Sequence, residues 1–468
     1  MHRLTTPRIV VAGLGGDSGK TLVTLGLIRS LQRRGLTIQP FKKGPDYIDP
    51  AWLGLAAGRG CRTLDTYLMS PRALDRALVA AGDAEIAVIE GNRGLFDGAD
   101  AAGTHSTAEL AKRLLAPVIL VVDATKVTRT VAAMVLGCRA LDPDVRLAGV
   151  VLNRIGGSRH EGIVREAVET GAGVPVLGAV PKLRGDDPLP SRHLGLMTAD
   201  EHPRREESID RAADAIADAV DLEAVLVLAR TAPALRIDPM PMPDRGPRVR
   251  IGVFVDEAFT FYYPENLEGL EVAGAELVQV APGRDGGLPA IDGLYIGGGF
   301  PEVHAARLAA NDLFTRALRE AVADGLPVYA ECGGLMYLSK NLRVEGIDHP
   351  MAGVLDLEIE QTVRPVGHGY VAAVADRDSD FLAKDTHLAG HEFHYSHISG
   401  GEDLEKTVLS LERGVGTGQG RDGIVRGSVW ASYLHLHALA TPTWADGFLR
   451  QVRDRAHATS IAGTALWG

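Results

Sequence analysis

Cysteine is scarce in this 468-residue chain: Cys61, Cys138 and Cys332 are its only three. So few cysteines in a chain of this length build no disulfide framework, which points to the cytoplasm rather than an oxidising compartment. Basic charge is not in excess either. Against 60 Asp and Glu stand 49 Lys and Arg, a net charge of −11, which gives no reason to expect nucleic acid as a partner. No apolar run reaches the length of a membrane span, and the opening "MHRLTTPRIVVAG" holds too short a run for a signal peptide. Neither a repeat of roughly 20–50 residues nor a low-complexity tail is visible. Aromatic residues make up only 5%, while 55 glycines fit a loop-rich α/β enzyme. The 46% apolar and 23% charged residues are ordinary for a soluble globular protein. The length suits two or three domains.

Short apolar, β-branched runs recur at Arg8–Gly13, Ile38–Lys42, Ile86–Glu90, Val118–Asp123, Leu147–Asn153 and Val176–Val180. Helical patterns such as Leu22–Arg34 and Ser106–Leu115 separate several of them. The alternation predicts an α/β fold, a parallel sheet covered by helices on both faces. Proline and charge replace periodicity in "APALRIDPMPMPDRGPRVR", a linker by its composition. A second α/β pattern follows, through Arg250–Val255, Glu276–Ala281, Gly293–Ile296 and Pro327–Ala330, and then strand-rich sequence. The expected division is a first domain over 1–235, a linker over 236–248 and a second domain over 249–468.

"GLGGDSGKT" closes the first strand and opens a helix, as a phosphate-binding loop does. Backbone N–H groups of Gly13, Gly16, Asp17, Ser18 and Gly19 would cradle the phosphates of ATP. Lys20 would reach the terminal ones and Thr21 would help hold Mg²⁺. The spacing is one residue too long, with Leu14 where the first glycine is expected. Acids follow at later strand ends: Asp46 and Asp49 in "KKGPDYIDP", Glu90 and Asp97 in "IEGNRGLFDG". Strand carboxyl ends line the ligand crevice of an open parallel sheet, and one or two carboxylates with phosphate oxygens suit Mg²⁺. Each acid alone is more often a turn or cap residue. Asp46 and Glu90 are the candidate metal ligands beside Thr21. Lys42, Asp49, Arg93 and Asp97 are candidates for the substrate and phosphoryl site.

In "LPVYAECGG", a strand runs into Cys332, two glycines and a helical start. That is the layout of a nucleophile elbow with sulfur for oxygen. A helix N-terminus there would favour thiolate. Upstream, "YIGGGFPE" supplies Gly297, Gly298 and Gly299 for an oxyanion. "SVWASYLHLHAL" supplies His435 and His437 as candidate bases. Read as alternate residues of one strand they share a face, so spacing does not choose between them.

Four motifs, "GGGFPE", "YAECGGLMYL", "GHEFHYS" and "SYLHLH", make the second half resemble a class I-type glutamine amidotransferase domain. The first half is similar to the P-loop synthetase fold of dethiobiotin synthetase, whose phosphate loop also has the extra residue. Joined, and with "FKKGPDYIDP" and "GLFDG", the halves resemble the cobyrinic acid a,c-diamide synthase family over nearly the whole chain. The resemblance implies that Cys332 attacks glutamine with His435, the first histidine of "YLHLH", as base. Gly298, Gly299 and Gly333 would line the oxyanion and glutamine site. It implies that ATP activates substrate carboxylates for ammonia, and that the substrate is a polycarboxylate tetrapyrrole amidated on its a and c side chains. Sirohaem- and nickel-sirohydrochlorin-amidating relatives share that chemistry, and a homodimer is an admissible assembly. Two features depart from pattern: His437 stands where class I triads often carry glutamate, and Asn92-Arg93 are more polar than expected. The first half also resembles partitioning-type P-loop ATPases, and a scaffold with an inactive glutaminase is the remaining alternative.

Overall fold

The computed structural model describes residues 2–182, 191–192, 195–242 and 245–465. Two compact units divide the chain, Met1–Met240 and Pro241–Gly468. Of the proline-rich stretch, the strand Leu235–Ile237 pairs antiparallel with His2–Leu4. Asp238 N donates to Asp75 Oδ2 at 2.8 Å. Gly246 N, by contrast, donates to Ala273 O in the second unit.

The first unit is built on a seven-stranded parallel sheet. Across it run Arg62–Leu64, Ile38–Lys43, Ile86–Gly94, Arg8–Gly13, Val118–Asp123, Leu147–Ile155 and Val176–Pro181. Its central strands are apolar on both faces because helices cover both: Ile9 to Ala12 and Val118 to Val122 are all buried. Arg8–Gly13 sits between strands reached by opposite turns of the chain, so its carboxyl end is the switch point where such sheets take ligands. In register, Val11 lies beside Glu90 and Glu90 beside Lys42. The sheet thereby lines up these side chains behind the phosphate loop.

The second unit carries a nine-stranded mixed sheet. Five strands are parallel, in the order Ala275–Val280, Val249–Phe254, Gly293–Ile296, Val328–Glu331 and Val429–Ser432. Arg421–Arg426, Thr407–Arg413, Gly367–Ala375 and His387–His394 extend it antiparallel. A separate four-stranded sheet contains Ile347–Pro350, Asn341–Val344, Glu358–Gln361 and Ser396–Gly400. No helix among the described residues is long and apolar enough to cross a membrane.

Candidate active sites

The loop after Arg8–Gly13 closes on itself before the helix Lys20–Arg33 begins. Gly13 must be glycine because an added Cβ would lie 2.2 Å from Ser18 Oγ. Gly19, at φ 81°, sits in the left-handed region, and its Cβ would lie 2.0 Å from Asn153 Nδ2. Asn153 Nδ2 donates to Ser18 O at 3.0 Å and Arg154 Nη1 to Asp17 O at 2.9 Å. Two neighbouring residues at the end of Leu147–Ile155 thus hold the lengthened loop in shape. Around Gly15 and Gly16 an added Cβ would meet nothing within 4 Å, so the loop is open on that side.

Behind the loop lies a cluster of opposite charges. Lys42, almost fully buried, donates to Glu90 Oε1 at 2.7 Å, pairs with Asp49, and lies 3.6 Å from Asp46 Oδ2. Burial works against a charge on Lys42, yet Asp49, Glu90 and Asp46 hold it well above its usual range. Lys42 was expected to meet substrate or phosphoryl charge; it is instead enclosed by these carboxylates. Burial pushes the Glu90 carboxyl up. Burial, then the charge of Asp49, pushes Asp46 up to about 7. Asp49 is held below its usual range: burial opposes its charge, but Lys42 outweighs it. Lys20's charge acts on both Asp49 and Glu90.

Two of the acids also do the local work that such residues commonly do. Asp46 Oδ1 accepts from Ile48 N at 2.9 Å and Asp49 N at 3.1 Å, where the helix Ile48–Ala57 starts. Asp97 Oδ2 accepts from Gly94 N at 2.8 Å and shapes the turn after its strand. Arg93 is exposed, at φ 48°, on the same stretch.

Among the described residues no three His, Cys, Asp or Glu side chains form a metal-binding group by themselves. Mg²⁺ needs fewer where phosphate oxygens and water complete its shell. Thr21 and Glu90 fit that requirement. Thr21 Oγ1 donates to Glu90 Oε1 at 3.0 Å, and the other oxygen, Glu90 Oε2, is buried with no hydrogen-bond partner.

In the second unit three adjacent parallel strands end together. The middle one, Val328–Glu331, delivers Cys332 at φ 48°, ψ −100°, outside the usual regions for a side-chain-bearing residue. The helix Gly333–Leu338 follows at once. Cys332 N donates to Ser432 O at 2.7 Å, and its Sγ lies 3.9 Å from Phe393 O. On one side, Gly293–Ile296 runs into Gly297–Gly299. A Cβ on Gly333 would lie 3.1 Å from Gly299 N, and one on Gly298 would lie 2.6 Å from His435 Cε1. The elbow, the glycine loop and His435 therefore converge.

The two histidines are not alternate residues of a strand. Val429–Ser432 ends before them, and His435 pairs with His391 through both backbones, His435 N to His391 O at 2.8 Å. Beyond the ladder the chain bends, and the rings part. His435 Nδ1 faces Glu331 Oε2 at 3.5 Å, and its ring stacks on His391 with centroids 4.8 Å apart. His437 Nε2 faces Glu265 at 3.5 Å, with its ring 4.6 Å from that of Tyr263.

The helix N-terminus does not act on Cys332 alone. Burial first, and the Glu302 charge second, push the Cys332 thiol far above its usual range, although the Gly333 N–H works the other way. The six-residue helix and the burial thus act in opposite directions on the thiol.

Sequence reasoning passed over Glu331, Asn153, Arg154 and His391. Glu331 had a signal: a carboxylate ending an otherwise apolar strand, directly before the cysteine. Asn153 closes an expected strand, at the end where ligands bind. His391 lies within "GHEFHYS", but only the tertiary fold stacks it on His435.

Comparison with known proteins agrees with both units. Residues 9–196 match the family described as CobQ/CobB/MinD/ParA nucleotide binding domain. Residues 250–443 match the CobB/CobQ-like glutamine amidotransferase domain. The cobyrinate a,c-diamide synthase of Magnetococcus marinus is 40% identical over 462 residues, covering 96% of this chain and 98% of that protein. The enzyme of the same name from Syntrophotalea carbinolica is 42% identical over 453 residues, covering 95% and 98%. That of Archaeoglobus fulgidus is 40% identical over 455 residues, covering 96% and 98%.

Proposed function

The chain belongs to the cobyrinate a,c-diamide synthase family, and on that premise we propose that its two units divide one amide-forming reaction. The second unit takes ammonia from glutamine. The first spends ATP to activate two carboxylates of cobyrinate, the a and c side chains, for that ammonia. The convergence of Cys332, the Gly298-Gly299 loop and His435 at three neighbouring strand ends carries the reading. A partitioning-type P-loop ATPase would have no use for it.

In the second unit, His435 takes the proton from the buried Cys332 thiol as sulfur attacks the side-chain amide carbon of glutamine. Backbone N–H groups of the Gly298-Gly299 loop and Gly333 steady the oxyanion. The imidazolium returns its proton to the nitrogen as the C–N bond breaks, leaving a thioester and ammonia. Water then releases glutamate and restores the thiol.

In the first unit, backbone N–H groups of the loop from Gly13 to Gly19 hold the phosphates and Lys20 reaches the terminal one. The substrate carboxylate attacks the γ-phosphorus, ADP leaves, and ammonia displaces phosphate from the acyl phosphate to give the amide. Thr21 and Glu90, with Asp46 nearby, would hold Mg²⁺, which when bound neutralises charge on the phosphate oxygens. Lys42 keeps these acids from repelling one another apart. Arg93, whose exposed guanidinium suits a carboxylate, is assigned with Asp49 and Asp97 to the substrate and phosphoryl site.

The test uses purified protein with ATP, Mg²⁺ and glutamine labelled with ¹⁵N in its side-chain amide. Cobyrinate, hydrogenobyrinate, sirohaem and sirohydrochlorin are offered, and products are read by mass. Two labelled amides on cobyrinate are expected. Labelled product on sirohaem or sirohydrochlorin alone would move the assignment to those macrocycles, and no labelled product on any would refute it.

A further inference from the structure

We propose that Glu331 is a positioning residue of the thiol site, facing His435 on its Nδ1 side so that the Cys332 proton is taken at Nε2. The inference rests on the amidotransferase reading above and adds a part to it. Class I triads often draw this carboxylate from the second position after the histidine. Here that position is His437, which turns to Glu265 and Tyr263. The charge comes instead from the residue directly before the nucleophile.

The geometry points the same way from both partners. Glu331 is fully buried at the end of the Val328–Glu331 strand, in register with Ser432. A carboxylate in that position is costly unless donors surround it. Three do: Tyr329 OH at 3.0 Å, Tyr295 OH at 3.2 Å and Leu436 N at 3.1 Å. Both tyrosine hydroxyls are buried with it. The Leu436 N–H belongs to the residue immediately after His435, so one carboxylate fixes the backbone beyond the base while its other oxygen faces the ring at 3.5 Å.

The ring itself has little freedom. His391 stacks on one face, and the Gly298 backbone approaches the Cε1–Nε2 edge so closely that an added Cβ would lie 3.4 Å from Nε2. An N–H at Nδ1 directed to Glu331 leaves the lone pair on Nε2, on the side of the glycine loop. When the thiol proton moves to Nε2, the imidazolium forms next to a carboxylate already in place. Glu331 itself exchanges no proton. The same proton leaves Nε2 for the departing nitrogen.

The experiment measures glutamine hydrolysis by Glu331→Gln, Glu331→Asp and Glu265→Gln in the full chain. Ammonia-driven amidation and thermal unfolding are followed alongside. Glu331 touches no substrate, so the Gln variant should lose about 10²-fold or more in kcat with KM for glutamine changed little. Asp, which restores the charge one methylene short, should recover about tenfold of that loss. Glu265→Gln, which removes another buried carboxylate, the one beside His437, should stay within about threefold of wild type. A merely structural role would give equal losses for Gln and Asp at position 331, or a rise in KM. Either result, or wild-type kcat in a folded Gln variant, overturns the proposal. Should the Gln variant fail to fold, a folded Asp variant whose loss lies in KM rather than kcat overturns it equally. If the unmodified protein hydrolyses no glutamine, the amidotransferase reading fails instead, which separates the two.

Discussion

Replacing Gly298 by alanine puts one methyl group against His435, the proposed base of the thiol site. Gly298 lacks the positive φ seen at Gly299, so its backbone accepts alanine and the effect is steric. The new Cβ would lie 2.6 Å from His435 Cε1 and 3.3 Å from Phe261 Cβ. Ordinary carbon contacts are roughly 3.5 Å, so the shortfall at the ring is about 0.9 Å. His435 has no room to retreat. It is buried, with Glu331 on its Nδ1 side and His391 stacked on its face. Either the ring moves away from Cys332, or the loop moves and carries its N–H groups off the proposed oxyanion position. A misplacement near 1 Å at a reacting group costs on the order of 10²-fold, and overpacking costs about 1–3 kcal/mol of stability. Glutamine hydrolysis in the G298A protein should therefore fall about 10²-fold in kcat, while amidation driven by free ammonium chloride continues at its wild-type rate. A folded variant with wild-type glutaminase kcat would refute the placement of His435 against this loop. Loss of ammonia-driven synthesis as well would refute the division of labour.

Cys332→Ala should lower glutamine-dependent amidation by several orders of magnitude and spare the ammonia-driven reaction, compared by product mass. Lys20→Ala should do the converse, stopping amide formation from either nitrogen source while glutamate release persists; normal ammonia-driven synthesis would count against the phosphate-loop role. Asp422 offers a pH test. Burial, opposed by N–H groups of Gly423, Tyr433 and Leu434, raises its carboxyl to about 6. Between about pH 4 and 6 the folded state then keeps a proton that the unfolded state has lost, so this group's contribution to stability falls as pH rises through that window. Asp422→Asn should flatten the slope in denaturant melts, although the protein is weaker overall because the amide nitrogen cannot accept the Leu434 N–H. An unchanged slope would show that Asp422 ionises normally.

Much of this architecture was legible because burial on two faces leaves a plain mark. Strands such as Ile9 to Ala12, covered by helices on both sides, must be continuously apolar, and turns that approach ligands or backbone closely must use glycine. Lys20 and Cys332 were visible for the same reason: each follows an apolar run and stands at a glycine-marked turn into a helix, where linear spacing and spatial position coincide. The phosphate loop's extra residue was visible too, but not what accommodates it, since Asn153 and Arg154 lie more than a hundred positions away.

The tertiary structure decided everything that depends on which strand ends are neighbours. Spacing alone does not tell His435 from His437, but the bend after Ser432 sends one to Glu331 and the other to Glu265. Lys42 reads in "FKKGPD" as a cation for substrate or phosphoryl charge but lies buried under three acids, because sheet register sets it beside Glu90. The thiol's environment followed the same rule: a helix start suggested thiolate, and burial, which only the fold sets, pushes the thiol the other way. Sequence carries the covalent order of reactive groups and the pattern of burial. Electrostatics depends on distances between segments far apart in that order, and those distances exist only once the sheets are formed.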